Sequence, residues 1–210
     1  YSAAQYLEKD DKIITGFLSS AAEKSEYVEF LVNPLLAATY VGTGEYEKAE
    51  ALLPVIQEAN KENIDYYMVQ SMLYRYRDKD YQKGVDTCIS GLNMLARIPD
   101  SSDMIAQIGY ILSMQKTLNY IMLNDYKSAY TSAEECYSYQ AETYSISVQV
   151  RDMYAMLALQ TGDTETYKTL EDEIKEYGDA EAGFSQDVKD YKDGKVTLQE
   201  LAQSGGYDLL

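Results

Sequence analysis

Between Tyr81 and Leu95 the apolar side chains fall at positions 81, 85, 88, 92 and 95, the three-and-four spacing that lines one face of an α-helix. Similar spacing governs nearly the whole chain, and no stretch alternates apolar and polar residues as a half-buried strand does. Clusters of turn formers interrupt it at 42–44, 78–80, 99–102, 124–125 and 162–163. The pattern predicts helices joined by short turns. Pro99 is expected to close one helix, with Asp100, Ser101 or Ser102 capping the next, a helix of about 20 residues ending near Leu123. Pro54 lies inside a helical pattern, where it forfeits a hydrogen bond to the Glu50 carbonyl, so a kink is expected there. Asn33–Pro34 reads either as a cap followed by a first-turn proline or as a second kink.

A second regularity overlies the first. The segments EYEKAEALL at 45–53, DYQKGVDTC at 80–88 and DYKSAYTSA at 125–133 each place an acidic residue and a tyrosine just after a turn. Three residues beyond Tyr46, Tyr81 and Tyr126 stand Ala49, Gly84 and Ala129, and seven beyond stand Leu53, Cys88 and Ala133. The tyrosine spacing, 81 − 46 = 35 and 126 − 81 = 45, is uneven. Small residues nonetheless recur where a second helix must pass close to the first.

The stretch LLAATYVGTGEYEKAEALL at 35–53 resembles a tetratricopeptide repeat, with Leu36, Ala37, Tyr40, Gly44, Tyr46 and Ala49 at the expected places. Around 125 the resemblance continues through Tyr120, Leu123, Asn124, Tyr126 and Ala129, but Lys116 and Thr117 stand where leucine and a small residue belong. Around 80 the turn and outer helix fit, while Arg75 replaces the expected tyrosine. A degenerate unit is centred on LALQTGDTETY at 157–167, and Tyr6 lies one repeat period before Tyr40. The resemblance spans about residues 2–177. It implies an all-α, right-handed superhelix of antiparallel helix pairs, about four and a half repeats in which each pair covers the apolar face of the last. Residues 1–180 would form the repeats, the first truncated, and 181–210 a C-terminal helical cap or tail.

Composition narrows the chemistry. With 46% apolar and 25% charged residues in 210, the chain has the make-up of a folded domain. Its 35 acidic against 18 basic side chains give a net charge of −17; no basic patch gathers, which argues against nucleic acid. There is no histidine, which removes imidazole acid–base catalysis, Ser-His-Asp and Cys-His arrangements, and the usual zinc sites. Cys88 and Cys136 suit buried free thiols on outer helices. Glu134 and Glu135 are adjacent and diverge on a helix, so they make no glycosidase pair. Residues 187–201 carry Asp193, Gly194, Val196 and Glu200 in partial imitation of a calcium loop, but Lys189 and Tyr191 occupy ligand positions. A turn into the short helix TLQELAQ is expected there. No cofactor, metal site or transmembrane segment is expected. Because residue 1 is tyrosine, an upstream segment is expected to be missing, with a lean to a soluble extracytoplasmic domain of a secreted or membrane-anchored protein.

Tyrosine is the compositional anomaly: 22 occur beside three phenylalanines and no tryptophan. Tyrosines 66, 67, 74 and 76 exceed what one helix face absorbs, and tyrosine suits binding surfaces. Two registers are open, the stripe Tyr67, Gln70, Tyr74 and Arg77 and the stripe Tyr66, Val69, Leu73 and Tyr76. The next inner helix offers Met114, Leu118, Ile121 and Met122 to the same groove. A face so apolar calls for a peptide, a second copy forming a homodimer, or missing N-terminal sequence. Together with the resemblance, this leads to the expectation of a non-enzymatic module or scaffold binding a peptide or helix of a protein partner in a concave groove. The alternative is an extracytoplasmic receptor domain for a small molecule or glycan, against which the lack of tryptophan argues.

Overall fold

The computed structural model describes residues 32–59, 64–97, 103–141, 146–177 and 183–208, together with Gly16, Leu18 and Ser20. These residues form helices and turns, with no strand among them; the fold is all-α. The candidate caps at 100–102 and the repeat remnant around Tyr6 lie outside the described residues. Two compact units divide between Asp80 and Tyr81.

In the first unit, α1 (Asn33–Gly42), α2 (Tyr46–Ala59) and α3 (Ile64–Leu73) pack each against the other two. Pro34 sits in the first turn of α1, where its missing N–H is one of the groups a helix leaves unpaired anyway. Helix α2 runs through Pro54, whose ring lies on an exposed position. Leu36, Ala37, Ala38 and Val41 of α1, Ala49, Leu53 and Ile56 of α2, and Met68, Val69, Met72 and Leu73 of α3 make the core. Helix α3 then widens into a π-helical turn, Tyr74–Asp78.

The second unit contains α4 (Tyr81–Leu95), α5 (Asp103–Met122), α6 (Tyr126–Ala141), α7 (Val148–Thr161), α8 (Thr164–Tyr177), α9 (Gln186–Lys192) and α10 (Leu198–Gln203). Central α5 touches α4, α6 and α10, and α7 touches α6, α8 and α9. Ala129, Ala133 and Cys136 of α6 are buried, as the small-residue periodicity requires. Gly84 of α4 lies so close to α5 that an added Cβ would stand 2.3 Å from Oδ1 of Asn119; only glycine admits this approach. Both cysteines are buried free thiols.

The recurrent turn has one geometry. Gly44, Asn124 and Gly162 adopt positive φ, at 78°, 59° and 81°. The next residue's N–H then donates back five residues: Glu45 to Tyr40 at 2.8 Å, Asp125 to Tyr120 at 3.0 Å, Asp163 to Ala158 at 2.8 Å. This is the left-handed C-terminal cap that satisfies orphan helix carbonyls. The acidic residue then starts the following helix: Asp125 Oδ1 accepts from Ser128 N–H at 3.1 Å and Asp163 Oδ1 from Thr166 N–H at 3.0 Å. At Lys79, with φ 55°, the corresponding bond runs from Asp80 N–H to Tyr74 O, back six residues, because the π-turn inserts one.

The C-terminal segment belongs to the core. Leu198, Leu201, Ala202 and Tyr207 join Met114, Leu118, Ile121, Met153 and Leu157 in one buried cluster. Polar ties fix its register: Gln199 Nε2 donates to Asn124 Oδ1 at 2.8 Å, and Gln115 Nε2 donates to the Asp208 carbonyl at 3.2 Å. Fully buried Asp152 of α7 accepts from Ser185 N–H at 3.1 Å. In the 187–201 segment, Gly194 has φ 70° and Lys195 Nζ reaches Asp190 at 3.2 Å and Asp193 at 2.7 Å, so of the calcium-loop residues Asp193 is paired with an ammonium group. Thr197 and Glu200 form a capping box on α10. Truncating Leu201 to alanine is expected to lower the unfolding free energy by about 2–4 kcal/mol, read by urea denaturation. A loss within about 0.5 kcal/mol would show that α10 is a loose appendage.

Candidate functional site

The tyrosine-rich part of α3 is shaped by the contrast between its two stripes. Val69 and Leu73 have no exposed surface, although Tyr66 and Tyr76 of the same stripe are partly exposed, whereas Tyr67, Gln70, Tyr74 and Arg77 are all partly exposed. The row through 69 and 73 therefore serves the core, and the row through 67, 70 and 74 meets solvent. Tyr66 and Tyr67 pack edge to face with ring centroids 5.4 Å apart. Burial, followed by the nearness of the Tyr74 and Tyr67 phenols, raises the pKa of Tyr66, so it is a neutral hydrogen-bonding group at physiological pH.

Past Tyr74 the π-turn changes the direction in which side chains leave the helix. Arg77 binds Glu50 Oε2 of α2 at 2.8 Å and Asp78 Oδ1 at 2.7 Å, and these two carboxylates hold its guanidinium charged even more firmly than usual. Its side chain is thus engaged between α2 and the end of α3. Arg75, where the repeat resemblance wants tyrosine, is buried with its guanidinium carbon 4.6 Å from the Tyr76 ring centre. π-Helical turns inside α-helices are found often at functional positions, and this one lies at the end of the exposed tyrosine row.

Met114, Leu118 and Ile121 are placed otherwise than the groove expectation has them. All three have no exposed surface and lie in the second unit's core cluster with residues of α7 and α10. The physical reason is that the chain's own C-terminal helix packs on α5, giving this apolar face an intramolecular cover. That cover leaves a homodimer no apolar groove at these residues.

Several other tyrosines also find structural employment. Tyr130, Tyr154 and Tyr137 form a ladder with centroid separations of 5.3 and 5.5 Å. Tyr130 donates to Asp163 Oδ2 at 2.7 Å and Tyr137 donates to Glu173. Burial raises the pKa of both Tyr137 and Tyr154 well above the ordinary tyrosine range. Such an arrangement buries the Tyr154 ring and part of the other two while satisfying their hydroxyls.

Sequence reasoning did not find a shallow cleft of about 420 Å³ between α5 and α6. It is lined by Lys116 and Tyr120 of α5 and by Lys127, Thr131, Ser132 and Glu135 of α6, and Lys116 Nζ lies 2.5 Å from Glu135 Oε2. The available signal was Lys116 itself, polar where the repeat pattern asks for leucine. Among the described residues no group of three or more histidine, cysteine, aspartate or glutamate side chains is arranged to hold a metal ion, and no helix is long and apolar enough to cross a membrane. The chain matches no protein-family model and no curated protein.

Asp65 opens the tyrosine helix, and desolvation pushes its pKa up to about 6 from 3.8. The folded state therefore holds a proton there that the unfolded chain releases between about pH 4 and 6, and stability from this group falls as pH rises through that window. Asp65→Asn is expected to be about 1–2 kcal/mol more stable than the parent at pH 7, after discounting for partial exposure, with the advantage gone near pH 4. Parallel denaturant titrations at the two pH values check it; an advantage of equal size at both would exclude Asp65 as the cause.

Proposed function

We propose that the chain is a tetratricopeptide-like, non-enzymatic binding module, a right-handed superhelix of helix pairs that engages a peptide or helix of a partner protein. The recurrent turn supports the repeat reading: a left-handed residue, an acidic residue bonded back to the preceding helix, and a small residue at the close approach of the helices. The observation that carries the binding reading is the partly exposed row Tyr67, Gln70 and Tyr74 on α3. Two phenols and an amide on a packed helix present donors, acceptors and flat apolar rings with little ordering cost on association. A buried row beneath them, Val69 and Leu73, holds that helix in place.

Selection from a displayed library of random peptides and helical peptides tests this directly. Selected peptides are expected to lose at least about tenfold in affinity, roughly 1.4 kcal/mol, against the Tyr67→Ala, Tyr74→Ala double variant, while its far-ultraviolet circular dichroism stays that of the parent. Arg77→Ala is expected to matter less, because Glu50 and Asp78 already occupy its guanidinium. Undiminished binding by the tyrosine variant would remove α3 from the interface.

A further inference from the structure

The cleft between α5 and α6 has chemistry that packing does not demand. Lys116 is only 8% exposed and holds its ammonium 2.5 Å from Glu135, whose side chain is 45% exposed. Leucine or methionine would fill the same interior without desolvating a charge, and a largely buried ion pair adds little net stability over an apolar replacement. Around this pair stand Tyr120, Thr131 and Ser132, with Lys127 and Ser128 at the rim. Ser132 donates to Ser113 O at 3.0 Å and Thr131 to Lys127 O at 3.4 Å, which leaves the lone pairs of both hydroxyls available as acceptors.

Charge sign selects the ligand class. The buried Lys116 ammonium is already paired with the Glu135 carboxylate, Lys127 brings a second positive charge to the lining, and the carboxylates of Asp125 and Asp86 also lie near the Tyr120 hydroxyl, adding with Glu135 to the upward shift that burial gives its pKa. With the signs this closely balanced, the cleft traps neither an anion nor a cation. It offers paired donors and acceptors, hydroxyls and one aromatic face in a volume within the range of small-ligand sites. We propose that this cleft binds a neutral, polyhydroxylated ligand the size of a monosaccharide unit. Its hydroxyls donate to Glu135 and accept from Lys116, the hydroxyls of Thr131 and Ser132 complete the polar fit, and Tyr120 supplies the apolar face. This site is independent of the α3 tyrosine row and does not rest on peptide binding.

Amide chemical shifts of the isotopically labelled chain, titrated with glucose, galactose, mannose and N-acetylglucosamine, read the cleft directly. At least one sugar is expected to give saturable shifts confined to residues 113–120 and 125–136, with a dissociation constant on the order of millimolar. Glu135→Gln is expected to weaken that binding about tenfold and Thr131→Val about threefold; glutamine keeps an acceptor for the buried Lys116 ammonium and Thr131 is exposed, so the far-ultraviolet circular dichroism of both is expected to stay that of the parent, and tyrosine-row variants should leave the titration unchanged. The absence of a saturable shift with any of the four sugars at about 100 mM overturns the proposal. Unchanged affinity in Glu135→Gln also overturns it, as does sodium phosphate reproducing the same shifts, which would make the cleft an anion site.

Discussion

A single left-handed residue at the end of a helix, followed by an acidic residue whose N–H is returned to that helix, is the constraint on which the hairpins depend. Without it the last carbonyls of α1, α5 and α7 would lack partners, and the chain would not reverse within three residues. Glycine fills the left-handed position at 44 and 162, where it adds no steric cost. Asn124 and Lys79 fill it with side chains, and asparagine tolerates the conformation better than lysine. Once the reversal is made, the next helix must come close, and Ala49 and Ala129 are buried small residues early in α2 and α6, while Gly84 of α4 makes room for α5. They are not interchangeable. Gly84 faces the buried amide of Asn119 with no room for a methyl group, whereas Ala129 is fully buried with its methyl group in place.

Central α5 carries an unusual share of the second unit's polar interior. Ser113, Gln115, Lys116, Thr117 and Asn119 are all buried, and buried polar groups must be satisfied to be tolerated. Thr117 and Asn119 turn back to the carbonyls of Ser113 and Gln115, both at 2.8 Å. Gln115 reaches Asp208, and Lys116 reaches Glu135. The helix therefore specifies its neighbours through hydrogen bonds as well as through Met114, Leu118 and Ile121. An apolar face alone would accept many coverings of similar shape; a buried amide accepts only one that meets its donors. That selectivity explains how a segment as short as α10 holds a defined position.

The sequence made the helices and turns legible because they depend on local chemistry. The three-and-four spacing from Tyr81 to Leu95 is the buried face of α4, and the end expected near Leu123 falls at Met122. The features it did not disclose depend on contacts distant in the chain. Met114, Leu118 and Ile121 read as an exposed groove because their cover arrives some eighty residues later, on a segment whose own composition suggested a tail. The one-residue register ambiguity around 65–77 is decided up to Tyr74 by the burial of Val69 and Leu73, and beyond it the π-turn at Tyr74–Asp78 shifts the phase, so a stripe drawn at constant spacing overruns its validity at Arg77. Lys116 and Thr117 were visible as departures from a repeat pattern, but a departure has no meaning until its partners, Glu135 and Ser113, are in place.

The tyrosines divide by the same reasoning. Tyr46, Tyr81 and Tyr126 recur at one place after the turn, and recurrence at a fixed architectural position points to packing. Tyr130, Tyr137 and Tyr154 have rings stacked in a ladder and hydroxyls held by carboxylates or by one another. A phenol satisfied in this way has little left to offer a ligand, since its donor is spent. Tyr67 and Tyr74 are placed differently: they fall outside the recurring position and are partly exposed, next to Val69 and Leu73, which are fully buried. In a chain where tyrosine supplies nearly all the aromatic surface, partly exposed rings outside the recurring position and outside the ladder are the ones whose area packing has not fully claimed.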